Sequence, residues 1–560
     1  MKRCPSCRRD YLDDSLSYCL DDGSALLEGP SGNSPGPFSE SDTQLIPNGR
    51  RDSAATAILP ANSGVLNPKP SYKPSLVITG AVAILALAVL GAGAFYIYRI
   101  TNESSQGMIT SIAVLPLDNL SNDPAQEYFA DGMTEAIIGN LSQIDSLKII
   151  SRTSVMRYKK SGKSIPEIAK ELSVDGIVEG SVQRVGDRIR VTAQLIRTAT
   201  DSPIWTKTFE QQTSDILKLQ TEIATALTRE LKIKLTPAVE KRFSEKRTLD
   251  PQAVEAFLLG RHYFNKWTRE SERLAVENFQ KAVAIEPQYS DAWAGLSDAW
   301  TVRAMVGDIT TKEAGGPTRE AALKALEIDP DNSAAQISMC FVHNNYDFDW
   351  VRGESACERG IELDPNNAKG HFAYAYILSR LERHEEVAQQ METAMKLDPA
   401  EPWWPSVYAA FLVQARRFEM AEALFNRAIA IDPTYGPTYN GLRNLYIETG
   451  RFHEALKIYM ERGGREDTVT AAYIYARMGD RKKAARILDQ IPPDVASEDP
   501  YEMVLAYTAL DEFDKAFDLI NRTIENGEGF MFGYANFLVL DKLKSDLRWT
   551  AVRRRMNFPN

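Results

Sequence analysis

RFEMAEALFNRAIAIDPTYGPTYNGLRNLYIETGRFHEALKIYM, Arg417–Met460, is the stretch that decides the fold of more than half of this chain. Before the Asp432-Pro433 break, Phe418, Ala421, Phe425 and Ala428 recur at helical spacing. After it, Tyr439, Leu442 and Tyr446 repeat the pattern, and Gly450, Phe452, Ala455 and Tyr459 open a further helix. The phrase that ends at Pro433, AIAIDP, has counterparts in AVAIEP, ALEIDP, IELDP and AMKLDP, ending at Pro287, Pro330, Pro365 and Pro399. The prolines are 43, 35, 34 and 34 residues apart. A period near 34 predicts stacked helix pairs, with small residues where two helices approach and aromatics in the seam to the next pair. Residues 250–525 are therefore expected to form an all-α solenoid, with 526–560 closing it. The 43-residue interval predicts a loop insertion near Gly307–Pro317, and two degenerate pairs are expected around Ala472–Leu488 and Val504–Ile520.

The 560 residues have room for several domains, and 44% hydrophobic content is enough to build cores. A net charge of −11 without a basic stripe gives no nucleic-acid footprint. Residues 28–75 are rich in Pro, Gly, Ser and Asn and read as a disordered linker. LVITGAVAILALAVLGAGAFYIY, Leu76–Tyr98, carries no charge. As a helix it would be roughly 35 Å long, enough to cross a hydrocarbon core of about 30 Å. Lys69 and Lys73 precede the span and Arg99 follows it, so the positive-inside rule leans toward a cytoplasmic N-terminus, with residues 99–560 on the far side.

Residues 108–236 read as a mixed α/β domain. SIAVLPL (Ser111–Leu117) and LKIIS (Leu147–Ser151) are short buried strands, and Ser164 and Glu167 have capping-box spacing at the head of a helix. A hairpin turns at Gly186-Asp187; in its second strand Ile189, Val191, Ala193 and Leu195 alternate with polar residues. PIWTKTFE adds a strand, and a helix over 214–234 carries Ile216, Leu219, Ile223, Leu227 and Leu231 on one side.

The array resembles tetratricopeptide repeats: Trp293, Leu296, Ser297, Trp300, Ala325 and Pro330 stand at that family's marked positions. The resemblance implies protein or peptide partners held in a concave groove, for which Arg261, Asn265, His371 and Asn440 are the candidate contacts. Upstream, SIAVLPLDNLSNDPAQEYFADGMTEAI, VDGIVEGSVQRVGDRIRVTAQLI and the Trp205 strand resemble a TolB-like N-terminal domain, similar to that of FlgO-type flagellar-associated lipoproteins of bacterial envelopes. In related architectures a winged helix, kinase or cyclase precedes this domain; here the front module is residues 1–27. Its Cys4-Pro5-Ser6-Cys7 and Cys19-Leu20-Asp21-Asp22 resemble a zinc ribbon in which Asp22 replaces a fourth cysteine, implying a structural Zn on Cys4, Cys7, Cys19 and Asp22. Reduced thiolates there would again place the N-terminus inside, at a bacterial inner membrane.

No enzyme is expected. All five histidines (His262, His343, His371, His384 and His453) fall in the repeats, so no histidine-based triad can form in the α/β domain. Ser161-Gly162-Lys163-Ser164 lacks the upstream glycine of a phosphate-binding loop, since Arg157 stands there. Cys340 and Cys357 sit on two helices of one repeat, where free thiols acting as small hydrophobes are expected over a disulfide. The arginines Arg553–Arg555 read as a solvated helix face. The expected function is a membrane-anchored protein-binding scaffold, with transmembrane signalling as the alternative.

Overall fold

The computed structural model describes residues 2–3, 10–11, 27–28, 108–121, 123–244, 248–492, 500–525 and 538–558. Residues 1–97 and 98–560 are two separate compact units. In the first unit, β1 (Lys2–Arg3) pairs antiparallel with β2 (Asp10–Tyr11) and with β3 (Leu27–Glu28). Cys4, Cys7, Cys19, Asp22, the linker and Leu76–Tyr98 lie outside the described residues. Among the described residues, no helix is long and apolar enough to cross a membrane.

The α/β domain is built on β4 (Ser111–Val114), whose four residues are all buried. It pairs in parallel with β6 (Lys148–Ile149) on one side and β7 (Gly176–Val185) on the other. The two-residue β5 (Asp118–Asn119) also pairs with β7. The sheet continues antiparallel through β8 (Arg188–Arg197) to the edge strand β9 (Ser202–Gln212). The alternation read in β8 is realised: Ile189, Val191, Ala193 and Leu195 are fully buried. They meet the core together with Ile216, Leu219, Ile223 and Leu227 of the long C-terminal helix of the domain (Ile216–Glu230). The helix α1 (Glu127–Ser142) links β5 to β6, and the short α2 (Arg152–Met156) follows β6. The capping box of Ser164 and Glu167 starts α3 (Ile165–Leu172), with that C-terminal helix, α4 (Ile216–Glu230), and α5 (Pro237–Ser244) completing the set.

Antiparallel helix pairs follow. They are α6 (Pro251–Phe264) with α7 (Arg269–Ile285), α8 (Ser290–Met305) with α9 (Thr311–Ile328), and α10 (Ser333–Val342) with α11 (Trp350–Leu363). Next come α12 (Ala368–Arg380) with α13 (His384–Leu397), α14 (Trp403–Gln414) with α15 (Phe418–Ile431), and α16 (Gly436–Glu448) with α17 (Phe452–Glu461). The two degenerate pairs are α18 (Val469–Met478) with α19 (Arg481–Gln490), and α20 (Pro500–Ala509) with α21 (Phe513–Glu525). Small residues do make the seams. The Phe279 ring is wedged so tightly between α6 and α8 that a Cβ on Gly260 or Gly295 would come within 2.7 or 2.8 Å of it.

Two expectations on the array are corrected. The long interval before Pro330 is not a loop insertion over Gly307–Pro317. Thr310 and Glu313 form a capping box that starts α9 early, and the helix runs on through Pro317. Proline there removes one backbone donor, while the ends of the helix remain capped. Cys340 and Cys357 are not free thiols. They face each other across the α10–α11 seam with Cα atoms 5.2 Å apart and form a disulfide, both fully buried.

The closing segment forms α22 (Asp541–Lys544) and α23 (Leu547–Arg555). Its end returns to the third helix pair: Trp350 Nε1 donates to the Met556 carbonyl at 3.1 Å, and Phe558 stacks on the Trp350 ring with centroids 4.8 Å apart. Its run Arg553–Arg555 is exposed, as a solvated face requires, with Arg555 donating to Asn521 and Arg553 lying over Phe558.

The candidate partner-binding groove

The turns at Pro330, Pro365 and Pro399, the residue Ile431 before Pro433, and the face of α6 are where the α/β domain and the array meet. Gly132 of α1 lies against Leu258 of α6, where an added Cβ would come within 2.6 Å of the leucine side chain. One turn further along α1, the Glu135 carboxylate accepts from Arg261 Nε at 2.7 Å and from Asn265 at 3.3 Å, with Arg152 alongside at 3.2 Å. Burial alone would push the Glu135 carboxyl up, but the guanidiniums of Arg261 and Arg152 offset it and hold the group below the usual range. Tyr128 donates to Glu255, one turn before Leu258 on the same face of α6.

Beyond α6 the domain grips successive turns. Arg242 of α5 donates to the Asp331 carbonyl, just past Pro330. Asn366, just past Pro365, donates to the carbonyls of Ser142 and Leu147, both at 2.9 Å, and to that of Ile144 at 3.3 Å, and accepts from the Ile149 amide at 3.0 Å. Just before Pro399, the Ser151 amide donates to Leu397 O at 2.8 Å, while Ser154 and Trp404 both donate to Asp398. Arg157 reaches the Ala400 carbonyl and, at 3.3 Å, that of Ile431. Asp364 is half-buried in this contact, and its carboxyl is pushed up to about 6 by desolvation, with Ser142 and Asn367 pulling the other way.

The four groove candidates thus have different surroundings. Arg261 and Asn265 receive Glu135. His371 is buried; its Nε2 is 2.9 Å from the Pro365 carbonyl, and its Nδ1 is 2.6 Å from Gln390 Oε1. The same bond, six residues after the proline, is made by Trp293 to Pro287, Gln336 to Pro330 and Tyr439 to Pro433. His371 is therefore a repeat-stabilising group. Asn440 alone stands exposed. It lines a cavity of about 220 Å³ with Tyr439, Arg443, Ile458, Tyr459, Arg462, Gly463 and Gly464.

Ion pairs spanning two repeats brace the array. Lys369 of α12 meets Asp298 of α8 at 2.9 Å, and Arg443 of α16 meets Glu502 of α20 at 2.7 Å. Glu272 of α7 is fully buried with neither carboxylate oxygen hydrogen-bonded, and its carboxyl is pushed up to about 8, first by burial and further by Asp298, against the pull of Lys369. Sequence reasoning missed Glu135, Asn366, Asp398 and Glu272, since nothing local to them marks a partner. Among the described residues no three His, Cys, Asp or Glu side chains converge as metal ligands.

The family described as "Tetratricopeptide repeat" matches residues 356–389, within the array of helix pairs. Arrays of this kind serve as protein-interaction scaffolds. Residues 108–226 match "HilA/YgeH-like transcriptional regulator, second domain". Among curated relatives, "Putative adenylate cyclase 3" of Rhizobium meliloti is 33% identical over 276 residues, covering 49% of this chain and 41% of the relative. "Transcriptional regulator HilA" of Salmonella typhimurium is 23% identical over 296 residues, covering 52% of this chain and 51% of the relative. The chain thus spans about half the length of the curated relatives it matches. Among solved structures, Pseudomonas aeruginosa pilF is 18% identical, covering 40% of this chain and 96% of that one at a TM-score of 0.30. A tetratricopeptide repeat protein of Parabacteroides merdae is 14% identical, covering 46% and 99% at a TM-score of 0.33.

Proposed function

We propose that this chain is a non-catalytic, membrane-anchored scaffold that holds a partner protein on the part of its tetratricopeptide array left uncovered by the α/β domain. The observation that carries this reading is the array itself, with its α16–α17 cavity open at Asn440. Leu76–Tyr98 would anchor it in a bacterial inner membrane, with the front module cytoplasmic and residues 99–560 outside. The Cys340–Cys357 disulfide supports that placement, because such bonds persist in oxidising compartments. So does the TolB-like resemblance of residues 111–234. A zinc ion on Cys4, Cys7, Cys19 and Asp22 would give the front module the core that its length denies it.

The decisive experiment is reporter fusion on each side of Leu76–Tyr98, combined with photo-crosslinking from position 440 in cells. An extracytoplasmic array that captures a protein partner is expected. A cytoplasmic array would overturn the envelope placement, and crosslinks to no protein would overturn the scaffold. A second reading, transmembrane regulation with the array as sensor, is favoured by the HilA/YgeH-like match over 108–226. Deleting residues 1–27 separates the two: a scaffold keeps its partner and its effect, whereas a relay loses its output.

A further inference from the structure

The front of the array shows what this solenoid accepts. A carboxylate, Glu135, is received there by an arginine and an asparagine, Arg261 and Asn265. The α16–α17 cavity offers the same donor chemistry. Its arginines differ in one respect. Arg443 is neutralised by Glu502 at 2.7 Å, whereas among the described residues Arg462 has no carboxylate within ion-pair reach. Arg462 lies over the Tyr439 ring, with Cζ 3.4 Å from the ring centroid, and donates through Nη2 to the Pro433 carbonyl at 3.1 Å. That bond occupies one of five guanidinium N–H groups, and the ring contact holds the guanidinium against the aromatic face. Asn440, one residue after Tyr439, adds an exposed amide.

Two further observations locate and size the site. Arg157 of the α/β domain reaches the Ile431 carbonyl, and Arg462 reaches that of Pro433 two residues on, so the cavity begins where the docked domain stops. Its volume of about 220 Å³ is below that of a small-molecule pocket and admits one or two side chains rather than a folded surface.

We propose that this cavity binds a carboxylate side chain from an extended acidic segment of a partner protein, with Arg462 as its charge partner and Asn440 as a second donor. This rests on the reading of the array as a partner-binding surface. A bidentate guanidinium–carboxylate contact on an arginine held against an aromatic face gives both attraction and register.

The test uses the full chain in detergent and fluorescence anisotropy with three labelled ten-residue probes. One alternates Glu and Ala and is C-terminally amidated, one is its Gln counterpart, and the last is the Gln counterpart with a free C-terminal carboxylate. The amidated Glu peptide is expected to bind at least tenfold more tightly than its Gln counterpart. Arg462→Ala should remove that preference, Asn440→Ala should weaken it severalfold, and Arg462→Lys should restore part of it. An unchanged melting profile for each variant establishes that it folds. Equal binding of the Glu and amidated Gln peptides, or full retention by Arg462→Ala, overturns the carboxylate site while leaving the scaffold intact. Binding of the free-acid Gln peptide alone overturns the acidic-segment occupant in favour of a chain terminus. Failure of all three probes overturns the site, whereas the scaffold itself stands or falls on the crosslinking from position 440.

Discussion

The turns at Pro365 and Pro433 share an Asp-Pro step at the end of a helix but differ in their surroundings. In the first, Asn366 is buried and bonds to four backbone groups of the α/β domain. In the second, the residue in the same place, Thr434, donates only to the neighbouring Asp432 carboxylate, and the turn borders an open cavity. One repeat thus serves two purposes, and what separates them is a carboxamide directly after the proline, which reaches four backbone groups at once where the Thr434 hydroxyl turns back on Asp432. A regular scaffold can reserve some turns for its own chain and leave others for a guest.

Breaking the docked side should have the largest effect. Asn366→Ala removes the partner of the Ile149 amide and of the Ser142 and Leu147 carbonyls, and is expected to cost about 3–4 kcal/mol. Rapid hydrogen exchange at Ile149 and proteolysis between the α/β domain and α6 would report it; slow exchange equal to wild type would show that the turn does not hold the domain. Cys340→Ser removes the staple across a sequence separation of 17 and should destabilise the third pair by about 3 kcal/mol in the chain-entropy account, read as a lowered denaturation midpoint. Arg261→Ala should cost about 2 kcal/mol, and less in the background of Glu135→Gln, a coupling measurable by a double-mutant cycle.

The pH response sharpens the same contrast. Glu272 and Asp364 have folded-state carboxyls raised to about 8 and about 6, so the native chain binds more protons than the unfolded one above their ordinary values. Stability should therefore decline as pH rises from about 4 through about 8. Glu135, held low, works the other way and loses its contribution only as pH falls through the acidic range. Glu272→Gln should flatten the alkaline part of the decline and gain about 1 kcal/mol at pH 8, visible in melts taken across that range. On the open side, Arg462→Ala should shift stability by less than about 0.5 kcal/mol. A large loss there would mean that the cavity is structural.

Periodicity made the elements legible: the alternation in β8, the capping box at Ser164 and the proline rhythm are all local patterns. The position of His371 could also have been read, since Trp293 and Tyr439 stand at the same distance from their own prolines. The docking could not. Glu135 and Arg261 are 126 residues apart, and Ile149 and Asn366 are 217 apart, so no window contains both partners. The repeat pattern puts Cys340 and Cys357 on two helices of one pair, but whether they bond depends on the seam geometry of α10 and α11, which spacing alone does not set. The loop expected near Gly307–Pro317 failed because a strong cap at Thr310 outweighed one interior proline.

The contact of Trp350 with Met556 and Phe558 gives the array a property that linear repeat stacks lack. In an open stack each unit touches only its neighbours, so unravelling starts at the last unit and proceeds inward as a zipper does. Here the last segment is moored to the third unit, and peeling it away breaks a contact across 206 residues as well as a local one. The segment from the third pair onward is expected to melt as one block, and its assembly must wait until Met556 and Phe558 have left the ribosome.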